Sequence, residues 1–256
     1  GFAVHTTVAT LLTPQDRDTA MELDAALQSL HLYSPEPQQM ARFYSTTYDM
    51  ELQALDKRFL CRAPGRQLAL SEGPANRLKY AHFGFHSRAA WEAFAVRTQG
   101  LAKTPLPSGF DADSATSFCD PDGNLMVFTA PSHNPLPASN GLPKAVLQHF
   151  AMRTPQIQAM LDFYTQQLGF VLSDAVRDAE GALRACFVRS DRLHHAMALF
   201  FAPAACFDHQ SFEVPDWGSM KTWGDHMATQ QVPIVWGIGR HGPGNDVFFM
   251  VRDPDG

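Results

Sequence analysis

The sequence predicts an α+β fold of two tandem modules, each built from paired βαβββ units, on the evidence of an internal repeat and a repeated turn. The segments LQSLHLYSPEPQQMARFY at 27–44 and LQHFAMRTPQIQAMLDFY at 147–164 align without a gap, at an offset of 120 residues. The turn sequence DPDG occurs at Asp120–Gly123 and again at Asp253–Gly256. Two copies that begin and end on matching motifs indicate two structural units of the same plan.

The start of the second copy predicts a strand followed by a helix. Residues 147–153 are β-prone, and Thr154 and Pro155 stand where an N-cap and a first helical residue belong. The helix is expected to run to Leu168 and to stop at Gly169, because glycine favours the left-handed conformation at a helix C-terminus. Its apolar face consists of residues three and four apart, namely Ile157, Met160, Leu161, Tyr164 and Leu168.

The rest of the second copy reads as short strands and one more helix. Strands are predicted in RACFVRSD, HHAMALFFA, FDHQSFEV and DVFFMVRD, and a helix in DWGSMKTWGDHMATQQ with Asp216 as its N-cap. Asp-Pro-x-Gly forms a tight turn, because proline presets φ and glycine tolerates a positive φ. In the first copy the turn leads into a final strand, NLMVFTA, whose counterpart would follow Gly256 and is absent from the printed sequence.

Composition along the chain suggests where the modules begin and end. The stretch APSHNPLPASNGLPKA at 130–145 is rich in proline and polar residues, which is typical of an exposed linker. We therefore predict an N-terminal extension at 1–23, module one at 24–133, a linker at 134–145 and module two at 146–256.

Charge and hydropathy exclude several classes of function. The net charge is −6 and no Lys/Arg run occurs, so nucleic acid is not an expected partner. No apolar segment approaches the roughly 20 residues that cross a bilayer, and the first residues lack the basic and apolar pattern of a signal peptide. The 4 cysteines follow no disulfide or CxxC spacing, which indicates a reducing compartment, and we predict a cytoplasmic protein.

The repeated modules resemble the vicinal-oxygen-chelate superfamily of glyoxalases, bleomycin-resistance proteins and dioxygenases. The resemblance lies in the DPDG turns, in LQHFAMRTP, FYTQQLGFVLSD and LHHAMALFF, and in GRHGPGND before the last turn. The two-module, type I extradiol ring-cleaving dioxygenases, of the dihydroxybiphenyl and catechol type, match best. This resemblance implies that each module is a half-open mixed β-barrel with flanking helices, and that a metal lies inside module two.

The resemblance also implies the metal ligands. They are a histidine on the first strand of module two, His149, a histidine on the fifth, His209, and a glutamate expected four places after Gly256, beyond the printed sequence. Strand alternation independently allows the two imidazoles to point into one barrel. Two histidines and one carboxylate form the facial triad of non-haem Fe(II) oxygenases, so Fe(II) is the expected cofactor, with Mn(II) as the alternative.

Module one is expected to be metal-free. The position that corresponds to His149 is Ser29, and the position that corresponds to the missing glutamate is Val127. Only His82, taken as the counterpart of His209, keeps a residue type that binds metals.

Five further residues carry the predicted chemistry. By resemblance, His195 is the acid/base residue, while the adjacent His194 is assigned to substrate contact or structure and, on a strand, would face the opposite side. His241 is expected to hydrogen-bond a substrate oxygen, and Asn245 and Asp246 to form the loop that supports it.

One position departs from the family. Met250 stands where a tyrosine is expected to donate a hydrogen bond to the catecholate, and methionine packs but donates none. The predicted function is O₂-dependent ring cleavage of a catechol-type aromatic by an enzyme that forms a homo-oligomer. The alternatives are a glyoxalase-like metal-dependent isomerase or lyase, and a binding protein without activity.

Overall fold

The computed structural model describes residues 8–11, 23–132 and 141–256. Each module forms one large mixed β-sheet with helices packed against it, which confirms the predicted α+β class. Within the described residues, no helix is long and apolar enough to cross a membrane.

Module one forms a seven-stranded sheet in the order β3-β4-β5-β2-β6-β8-β7. Its first unit comprises β2 (Ala25–Ser34), α1 (Pro37–Thr47), β3 (Glu51–Leu55), β4 (Arg58–Ala63) and β5 (Arg66–Glu72). Its second unit comprises β6 (Arg77–Phe85), α2 (Arg88–Arg97), β7 (Ala115–Cys119) and β8 (Leu125–Thr129). The second unit therefore has one strand fewer than predicted, because residues 101–114 form loops and turns between α2 and β7.

Module two forms a six-stranded sheet in the order β1-β10-β11-β12-β9-β13 and a separate two-stranded ribbon, β14-β15. Its elements are β9 (Val146–Thr154), α3 (Ile157–Asp162), a π-helical extension (Phe163–Leu168), β10 (Val171–Arg177), β11 (Leu183–Arg189), β12 (Met197–Phe201), β13 (Cys206–Glu213), α4 (Trp217–Thr229), β14 (Ile234–Arg240) and β15 (Val247–Val251). In module one, β8 joins β7 to β6. Among the described residues of module two, β14 and β15 pair with each other and β15 does not pair with β13.

Two of the predicted boundaries differ from the structure. The N-terminal extension contributes β1 (Val8–Leu11), which pairs antiparallel with β10 and so extends the sheet of module two. The end of the linker is packed rather than exposed, because Ala145 is buried against α4 and Trp223 Nε1 donates a hydrogen bond to the Pro143 carbonyl at 3.1 Å. Most of the predicted linker, 133–140, lies outside the described residues.

The helix predicted after β9 is present but begins later than expected. Thr154 ends β9, and its hydroxyl accepts a hydrogen bond from the Gln156 amide at 3.1 Å. The helix starts at Ile157, widens to a π-helix at Phe163 and ends before Gly169, whose φ of 89° confirms the predicted stop. Asp216 caps α4 as predicted, accepting from the Ser219 amide at 2.7 Å.

The two DPDG turns hold the modules together reciprocally. The Tyr164 hydroxyl of module two donates to Asp120 Oδ2 of module one at 2.8 Å, and the Tyr44 hydroxyl of module one donates to Asp253 Oδ2 of module two at 2.8 Å. Both tyrosines are fully buried. The turn recurs because each copy supplies the carboxylate that satisfies the buried hydroxyl of the other module.

Candidate metal and catalytic site

Two β-bulges shape the strands that carry His149 and His209. In the antiparallel ladder between β9 and β13, Gln148 on β9 and Asp208 on β13 are extra residues that have no partner on the opposite strand. A bulge breaks the regular alternation of a strand, so that neighbouring side chains can lie on the same side. Each bulge stands immediately before one of the two predicted ligand histidines.

The bulge residues hold the two imidazoles through Nδ1. His149 Nδ1 donates to Gln148 Oε1, and His209 Nδ1 donates to Asp208 Oδ1 at 2.6 Å. This arrangement directs Nε2 of each ring away from its hydrogen-bonded partner. The two ring centroids lie 5.5 Å apart, so the structure brings the two predicted ligands together.

Asp208 is itself fixed by a cation. Arg153 Nε donates to Asp208 Oδ2 at 2.5 Å, and the hydrogen bonds from His209 and Arg153 lower the pKa of the Asp208 carboxyl. A carboxylate that stays ionised and accepts from Nδ1 sets the tautomer of a ligand histidine and makes Nε2 more basic.

The predicted acid/base residue lies beside the same pair. The His195 ring centroid is 4.2 Å from that of His149, and Gln148 Nε2 donates to the His195 carbonyl at 2.8 Å. Burial, followed by the neighbouring histidines, lowers the pKa of His195 to about 3 and holds the pKa of His149 well below its usual value. Both imidazoles are therefore neutral near pH 7.

His194 and His195 do not face opposite sides, contrary to the prediction. They precede β12, which begins only at Met197, so strand alternation does not apply to them. Their Nδ1 atoms lie 2.9 Å apart, and His194 Nε2 lies 2.7 Å from Oδ2 of Asp174, a fully buried carboxylate on β10. Asp174, His194 and His195 thus form one hydrogen-bonded chain that leads to the site.

Aromatic side chains surround the histidines. Phe187 packs edge-on against His195, with ring centroids 5.2 Å apart, and the ring centroids of Phe200 and His209 are 6.4 Å apart. His241 stacks face to face on Phe248, with ring centroids 3.8 Å apart. Burial lowers the pKa of His241, the Asp246 carboxylate opposes that shift, and His209 adds to it. These groups form an apolar wall around a polar centre, which is typical of sites that bind small aromatic molecules.

Met250 lies on the face of β15 that carries Phe248. Phe249 and Val251 pack against the small core formed with Trp223 and Met227, so alternation places Met250 on the opposite face, with Phe248 and its stacked partner His241. The Met250 side chain therefore lies on the same face of β15 as Phe248.

The loop after His241 brings only part of its predicted set to the site. A β-carbon added to Gly244 would lie 2.7 Å from Asp246 Oδ2 and 3.0 Å from His194 Nδ1, which shows that Asp246 and His194 both border this glycine. Asn245 is exposed, has a φ of 57° and contributes its carbonyl, which accepts from Arg240 Nη1 at 2.7 Å. Asn245 therefore takes part in this loop through its backbone carbonyl.

The register corrects the expected counterpart of His209 in module one. The ladder between β2 and β6 contains the same two bulges, at Gln28 and Lys79, and pairs His31 with Tyr80. Because His31 corresponds to Ala151, which pairs with His209, the counterpart of His209 is Tyr80 and not His82. Tyrosine and lysine thus replace the ligand histidine and its aspartate.

Three site residues were not identified from the sequence. Gln148 and Asp208 each precede a ligand histidine, but strand alternation places adjacent residues on opposite faces, so only the bulges reveal their role. Asp174 is 20 residues from His194 and reaches it through the pairing of β10 with β11. The available signal was an acidic residue in the middle of a strand, since such a group needs a partner when it is buried.

The described residues contain the two histidines that were predicted as metal ligands, His149 and His209. Among them, no three His, Cys, Asp or Glu side chains are placed together so as to hold a metal ion. His149 and His209 nevertheless offer what a divalent metal needs, because Nδ1 of each ring is hydrogen-bonded and Nε2 is directed away from that bond.

Comparison with known proteins identifies relatives of both modules. The description "Glyoxalase/Bleomycin resistance protein/Dioxygenase superfamily" matches residues 146–256. Metapyrocatechase 2 of Cupriavidus necator is 30% identical over 229 residues, which cover 81% of this chain and 68% of that protein.

Solved structures share the fold over most of the chain. The Mn(II)-bound glyoxalase from Novosphingobium aromaticivorans has a TM-score of 0.74 and 22% identity, covering 90% of this chain and 79% of its own. Homoprotocatechuate 2,3-dioxygenase from Brevibacterium fuscum, in complex with 3,4-dihydroxyphenylacetate, has a TM-score of 0.73 and 21% identity, covering 93% and 80%. At these identities the structural likeness establishes the fold.

Proposed function

We propose that this chain, which belongs to the glyoxalase/bleomycin resistance protein/dioxygenase superfamily, is an extradiol dioxygenase that cleaves the ring of a catechol-type aromatic with O₂. The observation that carries the proposal is the convergence of His149, His195 and His209 inside module two. The similarity to a metapyrocatechase supports the substrate class.

The proposed cofactor is Fe(II), with Mn(II) as the alternative. His149 and His209 would hold it through Nε2, with a third, carboxylate ligand supplied from the strand expected after Gly256. When bound, such a metal lowers the pKa of a coordinated hydroxyl and provides adjacent positions for the substrate and for O₂. The two imidazoles suit a divalent metal. Each ring has a hydrogen-bond acceptor at Nδ1, and burial keeps His149 neutral.

The hydrogen-bonded chain sets the tautomer of His195. The Asp174 carboxylate accepts a hydrogen bond from His194 Nε2, so His194 Nδ1 is an acceptor whenever the ring carries a single proton. His195 then donates through Nδ1, and its Nε2 carries the lone pair. His195 is therefore prepared to accept a proton from a catechol hydroxyl, the role of a general base.

A proton on His194 would reverse this polarity. Protonated His194 donates from both nitrogens, so it would donate to His195 Nδ1, and the His195 proton would then reside on Nε2. The residue that first accepts a proton could then return it as a general acid.

His241 and Met250 border the proposed substrate position. The ring of His241 is aligned by stacking on Phe248 and by its backbone amide, which donates to the Asp246 carbonyl at 2.9 Å. His241 would donate to a substrate oxygen, as would tyrosine at position 250 in the family. Because Met250 donates no hydrogen bond, we expect weaker binding of unsubstituted catechol and a preference for substrates with an apolar substituent.

The test is O₂ consumption by the full-length protein loaded with Fe(II) under anaerobic conditions. A panel of alkyl- and aryl-substituted catechols should yield one O₂ consumed per ring and a yellow semialdehyde for at least one compound. His195→Ala should retain iron and lose turnover by about 10²–10⁴-fold, the usual range for a general acid/base.

Two other results would contradict the proposal. An O₂-independent reaction of a carbonyl substrate with Mn, Ni or Zn would indicate a glyoxalase-like isomerase or lyase. Aromatic binding without metal uptake and without turnover would indicate a binding protein.

A further inference from the structure

We infer that Tyr44 of module one is a positioning residue for the site in module two, because its hydroxyl joins the strand that carries His209 to the turn at Asp253. The inference rests on the proposed function, in which His209 is a metal ligand. It assigns module one, which holds no ligand pair of its own among its described residues, a defined part in building the site.

The contact consists of one hydroxyl that bridges two groups of the other module. Tyr44 lies on α1 and is fully buried. Its hydroxyl donates to Asp253 Oδ2 at 2.8 Å and accepts from Gln210 Nε2. Gln210 follows His209 directly on β13, and Asp253 begins the turn after which the third ligand is proposed.

Strand geometry explains how this contact reaches the site. Successive side chains of a strand point to opposite faces, so Gln210 faces α1 of module one while His209 faces the cavity. Restraining the Gln210 side chain on one face restrains the backbone that carries His209. The same hydroxyl restrains the Asp253 turn. It therefore fixes the distance between the backbone at His209 and this turn.

The internal repeat provides a comparison within the same chain. Tyr164 corresponds to Tyr44 and donates to Asp120 Oδ2 at 2.8 Å. The counterpart of Gln210 is Ala81, which pairs with Leu30 as Gln210 pairs with Phe150. Alanine has no polar group, so the Tyr164 bond reaches the turn but not the neighbouring strand. The additional link is found in the module that carries His149 and His209.

The test compares Tyr44→Phe with Tyr164→Phe in the full-length protein. Each variant removes one buried hydroxyl and keeps the ring, so both should lower the melting temperature by a similar amount, about 2–8 °C. Tyr44→Phe should weaken Fe(II) binding roughly tenfold, measured anaerobically by competition with a chelator. Tyr164→Phe should leave the iron affinity within about twofold of wild type.

Hydrogen exchange gives a readout that needs no metal. The amides of residues 208–211 should exchange about tenfold faster in Tyr44→Phe and at the wild-type rate in Tyr164→Phe. Gln210→Leu keeps the Tyr44–Asp253 bond and should likewise weaken iron binding and speed exchange at 208–211. This variant tests the role of the Tyr44–Gln210 contact if Tyr44→Phe does not fold. Equal iron affinity and equal exchange in the two tyrosine variants would overturn the inference. If the wild type binds no iron, the proposed function fails, while unchanged exchange at 208–211 alone would still overturn the role of Tyr44.

Discussion

Replacing Asp208 by asparagine should weaken metal binding far more than it weakens the fold. The asparagine side chain would keep the shape and one acceptor for His209 Nδ1, but it would lack the negative charge that now lies 2.6 Å from that nitrogen. Loss of such an outer carboxylate typically lowers metal affinity 10- to 100-fold, equivalent to about 1.4–2.7 kcal/mol.

The effect on stability should be smaller. The other partner of Asp208, Arg153, is 55% exposed, and solvent screens ion pairs of this kind to about 0.2–1 kcal/mol. A loss of this size lowers the melting temperature of a protein of this length by no more than about 4 °C. The expected result is therefore a large change in metal affinity with a small change in melting temperature.

Asp178→Asn is the matched control. Asp178 pairs with the half-exposed Arg184 at 2.6 Å, in a turn away from the histidines. Fe(II) affinity is measured by anaerobic chelator competition and the melting temperature by circular dichroism. If Asp208→Asn binds iron as tightly as Asp178→Asn, the bulge at Asp208 does not tune His209 and the reasoning is refuted.

The remaining predictions address the ligands, the substrate and pH. His149→Ala or His209→Ala should abolish tight iron binding, measured by metal analysis after dialysis, whereas His82→Ala should leave it intact; loss in all three would indicate a site shared between modules. Met250→Tyr should raise kcat/KM for unsubstituted catechol about tenfold, and Met250→Phe should not, because only tyrosine adds a hydrogen-bond donor. Burial lowers the pKa of His82 to about 4, so the unfolded chain binds its proton first as the pH falls. Wild-type stability should therefore decrease by about 3 kcal/mol between pH 6.5 and pH 4 from this group alone, and His82→Gln should remove that part of the pH dependence in urea unfolding at both pH values.

Repetition predicted the two modules, and the family resemblance, together with strand alternation, predicted that the two imidazoles lie close together. His149 and His209 each correspond to a family motif in the sequence, and the structure places them on the neighbouring strands β9 and β13. The error over His194 and His195 arose because the predicted strand began at His194, whereas β12 begins at Met197. A shift of three residues at a strand end changes which side chains share a face.

The supporting residues escaped prediction for a different reason. A bulge inserts one residue into a ladder, and that insertion depends on the partner strand, which a single sequence does not specify. Gln148 and Asp208 are both bulge residues. The wrong pairing of His82 with His209 is an error of two residues, which only the observed register of β2 with β6 reveals.

The bulges occur in both modules, but only module two places an aspartate at one of them and a histidine directly after it. Both modules place an extra residue at corresponding points of the central ladder, so the backbone of module one could present the same pair of side chains. It does not, because Lys79 stands at the place of Asp208 and Tyr80 at the place of His209. A cation cannot accept from an imidazole Nδ1, and it would repel a bound metal. An aspartate and a histidine at these two places must therefore be introduced together with a ligand at Ser29 before module one could bind a metal, and replacing Tyr80 alone should add no iron to the protein.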